Sequence, residues 1–198
     1  MRLLYIIFSA LITLSCTNSP QSENSKDLAT ENNKGNSPTA RQSSDSSKWT
    51  NSFLEFSKAI TKGDRNAVKS FIDFPIKNEG NEIWYLADSR LVMEISPKKI
   101  VPFTESDFDK YFSSIFALPF RKTLEKLNVD EFFEKNTAIS PEIEVVKGSR
   151  SKLQADYYKA NNKVTLTLFT TGEANLTVQY RFDITTDEQL RFRQVHVE

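Results

Sequence analysis

The spacing of apolar residues along this chain changes character three times, and the changes divide it. Leu3 to Leu14 is an apolar run interrupted by Ser9 and Thr13. From 17 to 47 there is no aromatic residue, and Leu28, Ala29 and Ala40 are the apolar exceptions among Ser, Asn, Thr and Pro. From residue 48 apolar positions recur at helical spacing, and beyond Pro141 they alternate.

Trp49, Phe53, Phe56 and Ile60 mark one face of an amphipathic helix, with Leu54 and Ala59 alongside. Gly63 suits the position just past its end, and Asp64 suits the cap of a second helix carrying Ala67, Val68, Phe71 and Ile72. That helix must stop before Pro75. EIWYL (82–86) and RLVMEI (90–95) read as short strands, with Gly80 and Asp88-Ser89 as turn signals. Thr104 and Asp107 form a capping-box pattern. Phe108, Tyr111, Phe112, Ile115 and Phe116 then give the next helix a broad apolar face, and Pro119 breaks or kinks it. Leu124, Leu127, Phe132 and Phe133 predict further helical turns.

IEVV (143–146), LQADYY (153–158), VTLTLFT (164–170), NLTVQYRFDI (175–184) and LRFRQVHV (190–197) alternate with period two. Lys147-Gly148-Ser149, Asn161-Asn162, Thr171-Gly172 and residues 185–189 separate them as turns. Consecutive antiparallel strands follow, so 48–198 is predicted to be one α+β domain with N-terminal helices on a curved antiparallel sheet.

The apolar run from Leu3 is as long as a signal-peptide core and shorter than the ~20 residues a spanning helix needs. Arg2 precedes it, and it ends at the only Cys of the chain. Thr13-Leu14-Ser15-Cys16 resembles the lipobox of bacterial lipoproteins, with Leu14 one position nearer the Cys than the commonest pattern. The resemblance implies cleavage before Cys16 and lipidation of its thiol; two or three acyl chains give stable anchoring where one does not. The plainer alternatives are an ordinary signal peptide or a short membrane anchor. Thr17, where such lipoproteins carry Asp for inner-membrane retention, implies the outer membrane, facing the periplasm or the surface. Residues 17–47 cannot bury enough surface to offset ordering, and are expected to be a disordered tether spanning about 30 Å root-mean-square.

Composition narrows the function. Lys plus Arg equals Asp plus Glu at 26 each. The balance is not an average of opposed halves: Arg2, Lys26, Lys34 and Arg41 are offset by Glu23, Asp27, Glu31 and Asp45 ahead of the domain. Charge therefore gives no reason to expect nucleic acid. One Cys and one His exclude an internal disulfide and multi-Cys or multi-His metal sites. Five scattered Gly leave no phosphate-cradling loop, and no cofactor or metal is expected.

FLEFSKAITKGDRNAVKSFIDFP (53–75), with QYRFDI and LRFRQVHV at the other end, resembles the nuclear transport factor 2-like (cystatin-like) superfamily. There, N-terminal helices close a cone formed by a bent antiparallel sheet. The resemblance implies a cone-shaped domain whose concave face can hold or transform a ligand; the helical stretch 104–135 departs from the pattern. The domain is accordingly expected to bind a small apolar ligand or an envelope protein. An isomerase- or dehydratase-type enzyme is the alternative.

His196 is the sole catalytic candidate, a general base if it faces inward with a carboxylate such as Asp156 or Asp183. If Leu190 and Phe192 face the core, an unbroken strand sends Gln194 and His196 inward as well. A bulge near Arg193 would instead bury Val195 and Val197 and turn His196 out, and this reading is favoured. Alternation also places Asp156, Arg181 and Asp183 on a solvated face. Trp84, Tyr85, Tyr157, Tyr180, Phe182, Gln194 and His196 are the residues that could line a ligand pocket, although aromatics at core periodicity more often pack. The Phe-rich helix is expected in the core, with a partner surface as the other possibility.

Overall fold

The computed structural model describes residues 48–76, 82–88, 101–172 and 175–198. Six α-helices and six strands fall within them: α1 Lys48–Lys62, α2 Arg65–Lys69, α3 Glu82–Ala87, α4 Glu105–Ile115, α5 Leu118–Glu125, α6 Val129–Lys135, β1 Thr137–Ile139, β2 Ile143–Val146, β3 Ser149–Tyr158, β4 Lys163–Thr171, β5 Leu176–Ile184 and β6 Leu190–Val197. The strands form one curved antiparallel sheet in the order β1-β3-β4-β5-β6, with β2 pairing β3. Helices before strands produce the predicted α+β domain. The signal segment, Cys16, the tether and the strand predicted at 90–95 lie outside the described residues.

α1 supplies the long edge of the core. Trp49, Phe53, Phe56 and Ile60 are all buried, as their spacing requires. Phe56 meets Phe182 of β5 at 4.9 Å and Phe71 at 5.5 Å between ring centroids. Trp49 lies on Tyr157 of β3 at 4.6 Å. Leu54, expected beside this face, is instead 41% exposed. The helix ends in a Schellman turn: Gly63 at φ 71° donates to the Ile60 carbonyl and Asp64 to the Ala59 carbonyl. Asp64 then caps α2, accepting from the Ala67 amide at 3.0 Å.

α2 is shorter than its apolar pattern implied. It stops at Lys69, and Phe71 and Ile72 are buried beyond its end because the chain turns to meet the sheet. Ile72 forms an isolated parallel bridge with Phe192 on the edge strand β6, and the Phe192 amide donates to the Phe71 carbonyl. The edge of the sheet is thus covered over part of its length.

Residues 82–86 form a helix, not the predicted strand. Ile83, Trp84 and Ala87 are buried together while Tyr85 is exposed. That set fits one helical face; a strand would send Ile83 and Trp84 to opposite sides. A short apolar run is ambiguous by period alone, and docking settles it: the Trp84 indole donates to the Val101 carbonyl at 2.9 Å and packs on Phe103.

The capping box at Thr104 and Asp107 is present and opens α4. Pro119 breaks the helical run and sits in the first turn of α5. Asn136, at φ 61°, ends α6 and leads into β1, a strand the sequence pattern gave no sign of. Its partner contacts explain it: Ala138 is buried opposite Ala155.

Candidate functional site

Two surfaces of the sheet can be compared among the described residues: a ring-packed inner face and an outer face that carries a cleft. On the inner face, Leu153 and Ala155 of β3, Val164, Leu166 and Leu168 of β4, Val178, Tyr180 and Phe182 of β5, and Leu190, Phe192 and Val195 of β6 are all buried. Helical rings fill the hollow above them. Tyr180 lies 4.1 Å from Phe120 and 5.6 Å from Phe116, and Phe182 lies 5.4 Å from Phe192. Burial pushes the Tyr180 phenol well above its ordinary pKa. Tyr180 and Phe182, expected among pocket-lining residues, are here buried in ring-to-ring contacts.

The outer face carries an open cleft of about 610 Å³, walled by Asp73, Phe74, Pro75, Ile76, Lys163, Arg181, Asp183, Phe192, Arg193 and Gln194. Its origin is a register shift. Arg181 pairs with Gln194, but Phe182 pairs with Phe192, so Arg193 is an extra residue in β6. This β-bulge restores the burial of Val195 and turns Gln194 and His196 outward. Of the two orientations open for His196, the bulged one is observed.

The bulge also aims Arg193 across the cleft. Its Nε donates to Asp183 Oδ2 at 2.8 Å and its Nη1 to Asp73 Oδ2 at 2.9 Å. One guanidinium therefore fastens the segment after α2 to β5, where the chain runs through a cis Phe74–Pro75 bond. Arg181 has a different environment. It is half-buried, and its one hydrogen bond among the described residues is from Nη2 to the neutral Gln179 Oε1 at 2.9 Å. Lys163 stands opposite Asp183 in the register, with no ion pair among the described residues. Three cations thus meet two carboxylates, and Arg193 engages both carboxylates.

The predicted site residues are dispersed. Gln194 and the candidate carboxylate Asp183 line the cleft. His196 lies further along the same outer face, where Nδ1 is 2.9 Å from Glu82 Oε1 and Nε2 is 3.3 Å from Glu198 Oε1. Its carboxylate neighbours are therefore Glu82 and Glu198. Asp183 is held by Arg193, and Asp156 accepts from Thr137 and Gln154. Trp84 is buried on α3, Tyr85 is exposed on the same helix, and Tyr157 is half-buried against Trp49. Asp73 and Lys163 were not singled out from sequence, Arg193 was marked only as the place of a bulge, Arg181 read as a solvated face, and Asp183, on the same face, was considered only as a partner of His196. The signal that could have found them is the bulge: it alone brings Arg193 over Asp183.

Among the described residues no cluster of three or more His, Cys, Asp or Glu could hold a metal ion, and no helix is long and apolar enough to cross a membrane. No protein-family model matches the chain, and no curated protein matches it. Among solved structures, a chain from Shewanella frigidimarina described as a candidate ketosteroid isomerase overlaps it with a TM-score of 0.32 at 12% identity, covering 77% of this chain and 96% of the other. An overlap this loose does not establish a shared fold or a shared activity.

Proposed function

We propose that the chain is an envelope lipoprotein whose domain binds rather than catalyses. Acyl chains on Cys16 hold it to a membrane, and residues 17–47 tether the domain above the surface. The anchor reading is supported by the apolar run ending at Thr13-Leu14-Ser15-Cys16. The binding reading is carried by one observation: among the described residues the inner face of the sheet is packed by Tyr180, Phe116 and Phe120, while an open polar cleft lies on the outer face. Among the described residues, Tyr180, Phe116 and Phe120 pack ring against ring on the inner face, which does not favour an apolar ligand there. A solute or partner at the outer face has a shaped, charged surface to meet.

An isomerase or dehydratase needs an acid or base directed into a water-poor chamber. His196 instead pairs with two glutamates on the outer face, its side chain 34% exposed. The enzyme alternative draws no support from that arrangement.

Cys16→Ala tests the anchor. The variant should accumulate as unprocessed precursor and take up no labelled fatty acid. Normal processing of Cys16→Ala would overturn the lipoprotein reading. Native mass spectrometry of the chain purified without denaturant tests the binding role, which predicts a retained small molecule or a partner in stoichiometric amount.

A further inference from the structure

We infer that the outer cleft is a site for a small organic oxyanion, a carboxylate or phosphate ester, with Arg181 and Lys163 as its counter-charges. The inference deepens the binding reading above and rests on it, but not on the anchor.

The argument begins with what the cleft leaves unpaired. Asp73 and Asp183 are both engaged by Arg193, which is therefore neutralised in place. The remaining cations have no carboxylate within ion-pair distance among the described residues. Arg181 gives one hydrogen bond to a neutral amide oxygen, so most of its five donors remain available. A half-buried guanidinium with a neutral partner is an incomplete arrangement; bidentate pairing with an oxyanion would complete it.

Position supports the same conclusion. Arg181 pairs across the strand with Thr165 and Lys163 with Asp183, so the two cations are diagonal neighbours on one face of the β4–β5 ladder. A single anionic head group can span them. The opposite wall, half-buried Phe74 and exposed Pro75, offers an apolar surface for a short hydrocarbon or aromatic body. The volume of about 610 Å³ lies within the usual range for small-molecule sites. The Arg193 bridge between Asp73 and Asp183 keeps the two walls at a fixed separation, so the site is formed before a ligand arrives. Because Arg193 engages both carboxylates, the unpaired charge left in the cleft is that of Arg181 and Lys163.

Calorimetric titration of the full-length chain in a neutral detergent tests this, with phenylacetate, phenyl phosphate and the uncharged 2-phenylethanol as probes. At least one anion should bind, at least tenfold more tightly than 2-phenylethanol, and more tightly as salt is lowered. Arg181→Gln and Lys163→Gln should each weaken that binding, and together by tenfold or more, with an unchanged melting temperature. The inference is overturned if 2-phenylethanol matches both anions. It is equally overturned if the double variant keeps full affinity, or if neither anion binds at millimolar concentration. Cys16→Ala protein should bind as the parent does. Lost acylation with intact anion binding removes only the anchor, whereas intact acylation with no anion binding removes only this site.

Discussion

The Tyr180 hydroxyl donates a 2.7 Å hydrogen bond to the Ile115 carbonyl, joining the middle of β5 to the last turn of α4. The last four carbonyls of a helix have no partner within it. Here a strand residue, fully enclosed by Phe116 and Phe120, satisfies one of them. The same contact ties the inner face of the sheet to the helical layer packed on it. Helix end, sheet and packed interior are therefore fixed by one side chain.

Tyr180→Phe removes only that oxygen, leaving the ring in place and a buried carbonyl without its donor. The expected loss of stability is about 1–3 kcal/mol, the range for stranding one buried partner. Urea unfolding of the two proteins measures it, and equal midpoints would mean that the hydroxyl contributes nothing.

The same residue predicts a dependence on alkaline pH. Burial holds the Tyr180 phenol above its ordinary pKa of about 10, so the unfolded chain loses this proton first. The stability contributed is complete below about pH 10 and declines as pH rises past it, by up to about 1.4 kcal/mol per pH unit. Unfolding free energies compared between pH 8 and pH 11 should fall more steeply for the parent than for Tyr180→Phe. Parallel profiles would refute the assignment to this group.

The fold was legible where periodicity was long and caps were explicit. α1, the Gly63-Asp64 junction, the capping box at Thr104 and the strands from β2 onward follow from residue spacing alone. Three features did not. The strand β1 is too short to carry a pattern, and Ala138 is recognisable only against Ala155. The segment 82–86 combines helix and strand signals in five residues, and its environment decides. The cleft depends on one inserted residue in β6: the bulge near Arg193 was legible, but alternation, which places Asp183 outward, does not show that the bulge sets Arg193 beside it. Of the aromatic residues considered for a pocket, Trp84, Tyr180 and Phe182 pack in the interior, while Tyr85 is exposed and Tyr157 half-buried.

The helix at 82–87 makes its own prediction. Ile83 and Trp84 are adjacent and both buried, with Tyr85 48% exposed. Ile83→Ala should cost about 2–5 kcal/mol and Trp84→Ala about 3–5 kcal/mol, while Tyr85→Ala stays within about 0.5 kcal/mol. A strand would spare one of the first two, so a neutral Ile83→Ala beside a costly Trp84→Ala in thermal unfolding would restore the strand.

Arg193 tests whether the cleft is held or merely decorated. Its guanidinium spans Asp73 and Asp183, carboxylates on two different elements, and its side chain is 41% exposed. Exposed pairs are each worth about 0.2–1 kcal/mol and are screened by salt. Arg193→Met keeps the stem and removes the fork. It should cost on the order of 1 kcal/mol at low ionic strength and less in concentrated salt. Because both carboxylates bind one group, adding Asp73→Asn to Arg193→Met should change little further, a non-additivity that a double-mutant cycle detects. Fully additive losses would mean that Asp73 is stabilised by something other than Arg193, and that the wall after α2 is not fastened to the sheet through the bulge.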